Sequence, residues 1–186
     1  TFFISDEVED YFVTGGRMVP YKRFDLVIQT FNRLNIPLKI YGDGPELEKL
    51  KKLAQNNIEF LGRVSDEEKA KVLSKAQAFI HPQIEDLGIT PIESMACGRP
   101  VIAYGVGGAT ETVIPGKTGI FFDDQSWESL LDAVIHFDTY SWDSEAIQEH
   151  ARKFGKRKFQ AKIKGYITEK HQDFVQQRNQ CRLDVR

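Results

Sequence analysis

The chain has 186 residues and a mass of 21.3 kDa, enough for one well-buried α/β core and short for two full-sized domains. Hydrophobic residues make up 41% and charged residues 28%, with 14 Gly and 7 Pro, which excludes collagen-like and wholly disordered chains. The formal net charge of -2 argues against nucleic-acid binding, and Cys97 and Cys181 lack the spacings of a disulfide framework or a zinc site, so both read as buried reduced thiols. Charges interrupt every apolar run before the roughly 18 to 20 residues a spanning helix needs. The start, with Asp6, Glu7, Glu9 and Asp10, is unlike a secretory signal, so the sequence reads as cytoplasmic.

Strand and helix patterns then alternate, the signature of a parallel sheet with helices on its faces. Tyr11–Thr14 is a short apolar run closed by Gly15 and Gly16, a strand followed by a loop. Phe24, Val27, Ile28, Phe31 and Leu34 recur at helical spacing before Pro37. Leu38–Tyr41 is a second strand stopped by Gly42-Asp43-Gly44-Pro45, and Leu47, Leu50 and Leu53 follow on a helix with Pro45 near its first turn. Ile58–Leu61 is a third strand, after which Ser65 and Glu68 form a capping box. Ala78–His81 is a strand halted by Pro82; a loop runs to Gly88, and a helix through Pro91, Ile92, Met95 and Ala96 ends at Gly98. Val101–Tyr104 is the fifth strand, a Gly105–Gly108 turn precedes a short helix near Glu111, and Thr118–Phe122 is the sixth strand. Ser126 caps a helix through Leu130, Leu131, Val134 and Ile135.

Beyond Ser144 the pattern is helical only. Phe159, Ile163, Tyr166, Ile167 and Phe174 form a stripe expected to dock onto the domain, which is taken to run over residues 1–175 with a flexible tail at 176–186. From Ala151 onward there are 11 Lys/Arg against 3 Asp/Glu, whereas the remainder carries 14 against 24. A solvated face is the commoner reading of such a basic helix, and peripheral contact with an anionic membrane is the other.

Three glycine-rich segments follow strands and are expected at the carboxyl edge of the sheet, where open α/β folds bind ligands. They are Gly15-Gly16-Arg17, Gly42-Asp43-Gly44 and Gly105-Val106-Gly107-Gly108. Glycine lets backbone N–H groups approach an anion, and a helix N-terminus favours negative charge, so a phosphorylated ligand is expected; each segment alone is equally a tight turn. Neither the P-loop motif nor a strand-proximal G-x-G-x-x-G is present, so triphosphatase and ordinary dehydrogenase chemistry lack their phosphate loops. Arg17 and Lys22 follow the first segment, and a cation at a helix start is misplaced on dipole grounds unless an anion lies nearby. Glu85 is placed in a loop and Glu93 in the first turn of the next helix, with backbone donors at Gly88, Ile89 and Thr90 between them. That arrangement suits a sugar nucleotide, while a surface charge and a dipole-complementing carboxylate are the plainer alternatives.

G-G-R-M-V-P-Y-K (Gly15–Lys22), Y-G-D-G-P-E (Tyr41–Glu46), F-L-G-R-V-S (Phe60–Ser65), H-P-Q-I-E-D-L-G-I-T-P-I-E-S-M-A-C-G-R-P-V-I-A (His81–Ala103) and G-G-A-T-E-T-V (Gly107–Val113) together resemble glycosyltransferase family 4, in the right order from about Tyr11 to Phe137. The resemblance implies a Rossmann-like parallel six-stranded sheet with helices on both faces, the C-terminal, donor-binding half of a GT-B enzyme. It is similar to bacterial and archaeal mannosyltransferases of surface-polysaccharide assembly. By residue, it implies Arg17 and Lys22 on the donor diphosphate, Glu93 on the ribose, Glu85 on the sugar, amides from Gly88, Ile89 and Thr90, and Arg63 and Val64 beside the nucleobase. Leu87 stands where the family more often has Phe.

A retaining transfer without metal or other cofactor is implied, from GDP-mannose with UDP-sugars as the alternative, to a glycan or lipid-linked acceptor. Ten residues precede the first strand, so the acceptor-binding domain is expected to be missing and the isolated chain not competent for transfer. A non-catalytic nucleotide-binding or scaffold domain that kept the fold is the reading from another class. Cys97 lies at an apolar helix end without a neighbouring base and is set aside as a nucleophile.

Overall fold

The computed structural model describes residues 2–183, with side chains for all of these except 177 and 179–183. Compact units meet at a boundary between Ala151 and Arg152. In the first, six strands appear where the apolar runs predict them: β1 (Phe12–Arg17), β2 (Leu38–Asp43), β3 (Ile58–Gly62), β4 (Phe79–His81), β5 (Val101–Tyr104) and β6 (Gly119–Phe122). All pair in parallel, in the order β3-β2-β1-β4-β5-β6. That is the doubly wound Rossmann order, in which the chain reverses direction across the sheet between β1 and β4 and leaves a crevice at their carboxyl ends.

Successive strand residues point to opposite faces, so each strand feeds two cores. Phe12, Leu38, Ile40, Ile80 and Ile102 enter one, with α1 (Phe24–Leu34), α2 (Leu47–Leu53) and α6 (Trp127–His136) packed over it. Val13, Tyr41, Phe79, Val101 and Ala103 enter the other, beneath α3 (Asp66–Lys75), α4 (Ile89–Ala96), α5 (Ala109–Thr112) and α7 (Ser144–Ala151). The local signals for these helices hold. Ser65 accepts from the Glu68 amide at 3.2 Å while Glu68 accepts from the Ser65 amide at 2.8 Å, and Ser126 accepts from the Ser129 amide at 3.2 Å.

Two expectations about the strand ends need correction. Gly15-Gly16-Arg17 and Gly42-Asp43 are not loops; they are the last residues of β1 and β2, paired Gly15 with Tyr41, Gly16 with Gly42 and Arg17 with Asp43. The glycines permit this close pairing: a Cβ on Gly42 would coincide with the Gly16 carbonyl oxygen, and Gly42 has φ +116°. Thr118 lies just outside β6, where its hydroxyl accepts from the Ile114 amide at 2.8 Å. In the second unit, α8 runs over Lys156–Leu183, so helix continues into the segment read as a tail; its last residues, 184–186, lie outside the described residues, as does the Cys181 side chain. Among the described residues no helix is long and apolar enough to cross a membrane.

Candidate functional site

Lys22 closes a 3-10 turn over Pro20–Lys22 that precedes α1 by one residue. It therefore stands immediately before Arg23, the N-cap of α1, at the helix start where the sequence places it. The nearby anion that its position implied is a protein group: Lys22 Nζ forms an ion pair with Glu85 Oε1, from side chains that are 14% and 22% exposed. Lys22 Nζ also lies 3.8 Å from where a Gly16 Cβ would project, so Gly16 leaves the ammonium room at the end of β1.

Glu85 belongs to the loop between β4 and α4, and that loop is anchored to other elements. The Gly108 amide donates to the Glu85 carbonyl at 2.7 Å, and Gln125 Nε2 donates to the Pro82 carbonyl at 2.8 Å. Gln125 accepts in turn from Arg23 Nη1 at 3.0 Å, which ties this loop to the turn carrying Lys22. The third glycine segment thus serves backbone contact. Gly107 has φ +75° and a Cβ there would meet the Glu85 carbonyl oxygen at 2.8 Å, while one on Gly108 would meet the Leu87 Cα at 2.6 Å.

Lys22, Glu85, Gly88, Ile89 and Thr90 line one cleft of about 540 Å³. Gly88 is the N-cap of α4 and supplies no side-chain cap, and Ile89 and Thr90 of the helix's first turn line the cleft. Beneath it lies His81, the last residue of β4. It is 1% exposed, and neither ring nitrogen has a hydrogen-bond partner. Burial pulls its imidazole down to about 4, against a smaller upward pull from Glu85, and keeps the ring neutral at pH 7.

Arg17 lines a different cleft, of about 410 Å³, with Gly16, Gly42, Asp43, Gly44, Pro45 and Arg63. Here Arg63 Nε donates to Asp43 Oδ2 at 3.1 Å, from side chains 85% and 42% exposed. Gly44 is packed against the backbone of Met18, whose amide donates to the Asp43 carbonyl at 2.9 Å. Gly16 lines this cleft with Arg17, and the position of a Cβ on it would lie 3.8 Å from Lys22 Nζ of the other.

Glu93 lies in the second turn of α4 and not in the first, because the helix begins at Ile89, so dipole complementation does not account for it. Its carboxylate accepts from Lys69 Nζ on α3 at 2.8 Å, from side chains 19% and 17% exposed. Lys69 and His81 carry no role in the sequence reading. Lys69 offers no pattern to find it by, and His81 looks like one more residue of an apolar strand. Val64 is half-buried against the core under α3 and α4. Cys97 is buried, and burial pushes its thiol up to about 11, which removes the thiolate a nucleophile needs. Among the described residues no group of three or more His, Cys, Asp or Glu could hold a metal ion.

The fold and sequence have known counterparts. The chain is 30% identical over 147 residues to an uncharacterized glycosyltransferase of Methanocaldococcus jannaschii, covering 76% of this chain and 42% of that protein. It is 35% identical over 137 residues to a GDP-mannose-dependent alpha-(1-6)-phosphatidylinositol monomannoside mannosyltransferase of Mycolicibacterium smegmatis, covering 64% and 36%. The chain thus spans about two-fifths of the length of these relatives. Among solved structures, the lipopolysaccharide outer core galactosyltransferase WaaB superposes with a TM-score of 0.77 at 17% identity, covering 90% of this chain and 54% of that one. The sucrose-phosphate synthase of Thermosynechococcus elongatus does so with a TM-score of 0.77 at 22% identity, covering 91% and 49%. These likenesses show the Rossmann-like fold. Residues 3–158 match the model of glycosyl transferases group 1, and the chain belongs to that family.

Proposed function

We propose that this chain is the donor-binding domain of a retaining glycosyltransferase, with the sugar nucleotide seated at the carboxyl ends of β1 and β4. The observation that carries the reading is the Lys22–Glu85 ion pair beside the uncapped N-terminus of α4. A cation and a row of amides converge there on one point, where a diphosphate gains charge-assisted hydrogen bonds, and as leaving group it gains the electrostatic stabilisation that transfer needs. Lys22 then exchanges the Glu85 carboxylate for the diphosphate, which frees Glu85 for a hydroxyl of the sugar. Arg17 reaches the same diphosphate from the far side of Gly16, Glu93 accepts from the ribose, and Arg63 and Val64 lie toward the base. GDP-mannose is the favoured donor, on the strength of the mycobacterial relative. The acceptor is a glycan or lipid held by a second domain, and the basic α8 suits contact with an anionic membrane surface.

Calorimetric titration with GDP, UDP and ADP, each with and without its sugar, tests the reading. Binding of GDP-mannose in preference to the others is expected; absence of binding to every one of them would overturn it. Within that experiment Glu93→Ala weakens diphosphate and sugar nucleotide alike, by about 1.5 to 3 kcal/mol. Glu85→Ala, which frees Lys22 from its ion pair, does not weaken the bare diphosphate and weakens the sugar nucleotide relative to it. An unchanged ratio of the two affinities in Glu85→Ala would remove the sugar role from Glu85.

A further inference from the structure

His81 is the polar group that neither the fold nor the ion pairs of the site explain. A side chain that is 1% exposed, with two ring nitrogens and no partner for either, is a cost that folding alone does not require, since an apolar residue would fill the end of β4 as well. Its surroundings are specific. The ring lies tilted against Phe79 at 6.5 Å between centroids, and the charges that act on it are those of Glu85 and Lys22. Nε2 lies 3.3 Å from the position a Gly88 Cβ would take, and Gly88, held at φ +76°, is both the N-cap of α4 and part of the cleft wall. Glycine at residue 88 keeps that side of Nε2 clear of a side chain, with Pro91 Cγ beside the same position, and the covered Nε2 is reached from the cleft only as the Lys22–Glu85 pair opens.

We infer that His81 is a ligand-binding residue of the cleft, its Nε2–H donating to an oxygen of the diphosphate at the N-terminus of α4. The inference rests on the nucleotide-sugar reading of that cleft and adds to it a donor from the floor of the sheet. Three kinds of donor then converge on one anion: an ammonium from the β1 side, backbone amides from α4, and a neutral imidazole from β4. The neutral ring suits the position, because it donates without adding a second buried positive charge beside Lys22. Gly88 is then required for a reason beyond its backbone angle, since any side chain there would lie between the imidazole and the ligand.

The test uses the full chain. The ¹⁵N resonances of the His81 ring, identified by their loss in His81→Gln, are followed in the wild-type chain as GDP and, separately, inorganic pyrophosphate are added to saturation. Both probes are expected to shift Nε2. In parallel, His81→Met, which keeps the volume and removes the donor, is expected to lose on the order of tenfold in GDP affinity, and His81→Gln, which restores an N–H, to recover most of it. If GDP binds while the ring resonances stay where they are, the imidazole does not touch the ligand and the inference falls, whatever the variants do; the nucleotide reading survives that result. If His81→Met proves unstable, the wild-type resonances still decide. If neither GDP nor pyrophosphate binds the wild-type chain, the reading of the cleft falls and the inference with it.

Discussion

Two clefts flank β1 at the carboxyl edge of the sheet, and different parts of the chain hold them open. Between β1 and β2 the walls are backbone against backbone: Gly16 faces Gly42 in the ladder, and Gly44 lies against Met18. The charges there are Arg17 and the surface pair of Arg63 with Asp43. Between β1 and β4 the walls are joined by side chains, Lys22 to Glu85 across 63 residues of sequence and Arg23 through Gln125 to the Pro82 carbonyl. The first cleft is walled by backbone that is hydrogen-bonded across the ladder. In the second, Lys22 and Glu85 are partnered with each other, and an anion that pairs with Lys22 must take the place of Glu85. A site of this kind separates holding its shape from holding its ligand, and substitutions on the two sides should fail in different ways.

The largest effect is expected where backbone meets backbone. Gly42→Ala places a methyl group on the Gly16 carbonyl and cannot be accommodated by a rotamer change, so a loss of at least about 3 kcal/mol is expected. Gly62→Ala is the control. Residue 62 also has positive φ, +68°, but nothing lies within 4 Å of its Cβ position, so only the left-handed backbone cost of roughly 1 to 2 kcal/mol applies. Urea unfolding of both variants reads the difference; equal losses would mean that packing between β1 and β2 contributes nothing beyond backbone conformation.

The next effect belongs to the other cleft and depends on pH. His81 has its folded pKa lowered from 6.5 to about 4 by burial. A depressed value means the unfolded chain binds the proton first, so the stability associated with the neutral ring is complete above about pH 6.5 and is lost as the pH falls toward 4. Lys22 and Glu85 are the charged groups that act on the ring. The wild-type chain should lose roughly 3 kcal/mol more than His81→Met between pH 7 and pH 4. Denaturation curves at four or five pH values measure it, and parallel pH profiles for the two proteins would show that protonation of His81 is not coupled to unfolding.

Much of this was open to the sequence, and what was hidden has a physical reason. The six strands and the Ser65 and Ser126 caps are local patterns, readable because apolar runs and capping hydrogen bonds involve residues within a few positions of each other. The apolar runs end β1 and β2 too early because glycine is a breaker in isolation, and only its pairing partner across the ladder, Gly42 for Gly16, keeps it in a strand. Lys69 on Glu93 and Gln125 on Pro82 join positions 24 and 43 residues apart with no periodicity to announce them. His81 was visible as a letter in a motif, but a buried polar atom without a partner is a property of the folded environment and has no trace in one chain's spelling.

Lys22→Met ranks third. It leaves the Glu85 carboxylate 22% exposed without its cation, so stability should fall by about 1 to 2 kcal/mol, between the values for surface and fully buried pairs. Adding Glu85→Gln should return most of that loss, because the pair is then removed as a unit. The same double variant should not regain nucleotide binding, since the proposed site uses the Lys22 cation for the ligand. Recovery of both quantities together would mean that Lys22 serves the fold alone.

The smallest effect is the one that tests the contrast from the opposite side. Arg63 and Asp43 form an ion pair of ordinary length, 3.1 Å, yet the arginine side chain is 85% exposed and the aspartate 42%. Water and salt screen a pair in that setting, and holding a long side chain in one geometry offsets most of what remains, so Arg63→Ala should change stability by less than about 0.5 kcal/mol. The backbone of the cleft, fixed by Gly16 against Gly42 and by the Met18 amide on the Asp43 carbonyl, is expected to stay where it is. Any effect of Arg63→Ala should therefore appear in ligand binding only, as a modest loss for nucleoside diphosphates and none for inorganic pyrophosphate, because the base-side role proposed for Arg63 leaves no contact to lose with a ligand that lacks a base. Measured in the same urea and calorimetric series, a stability loss comparable to that of Lys22→Met would show that both clefts are held by their charges, and the distinction between a backbone-walled and a side-chain-walled site would disappear.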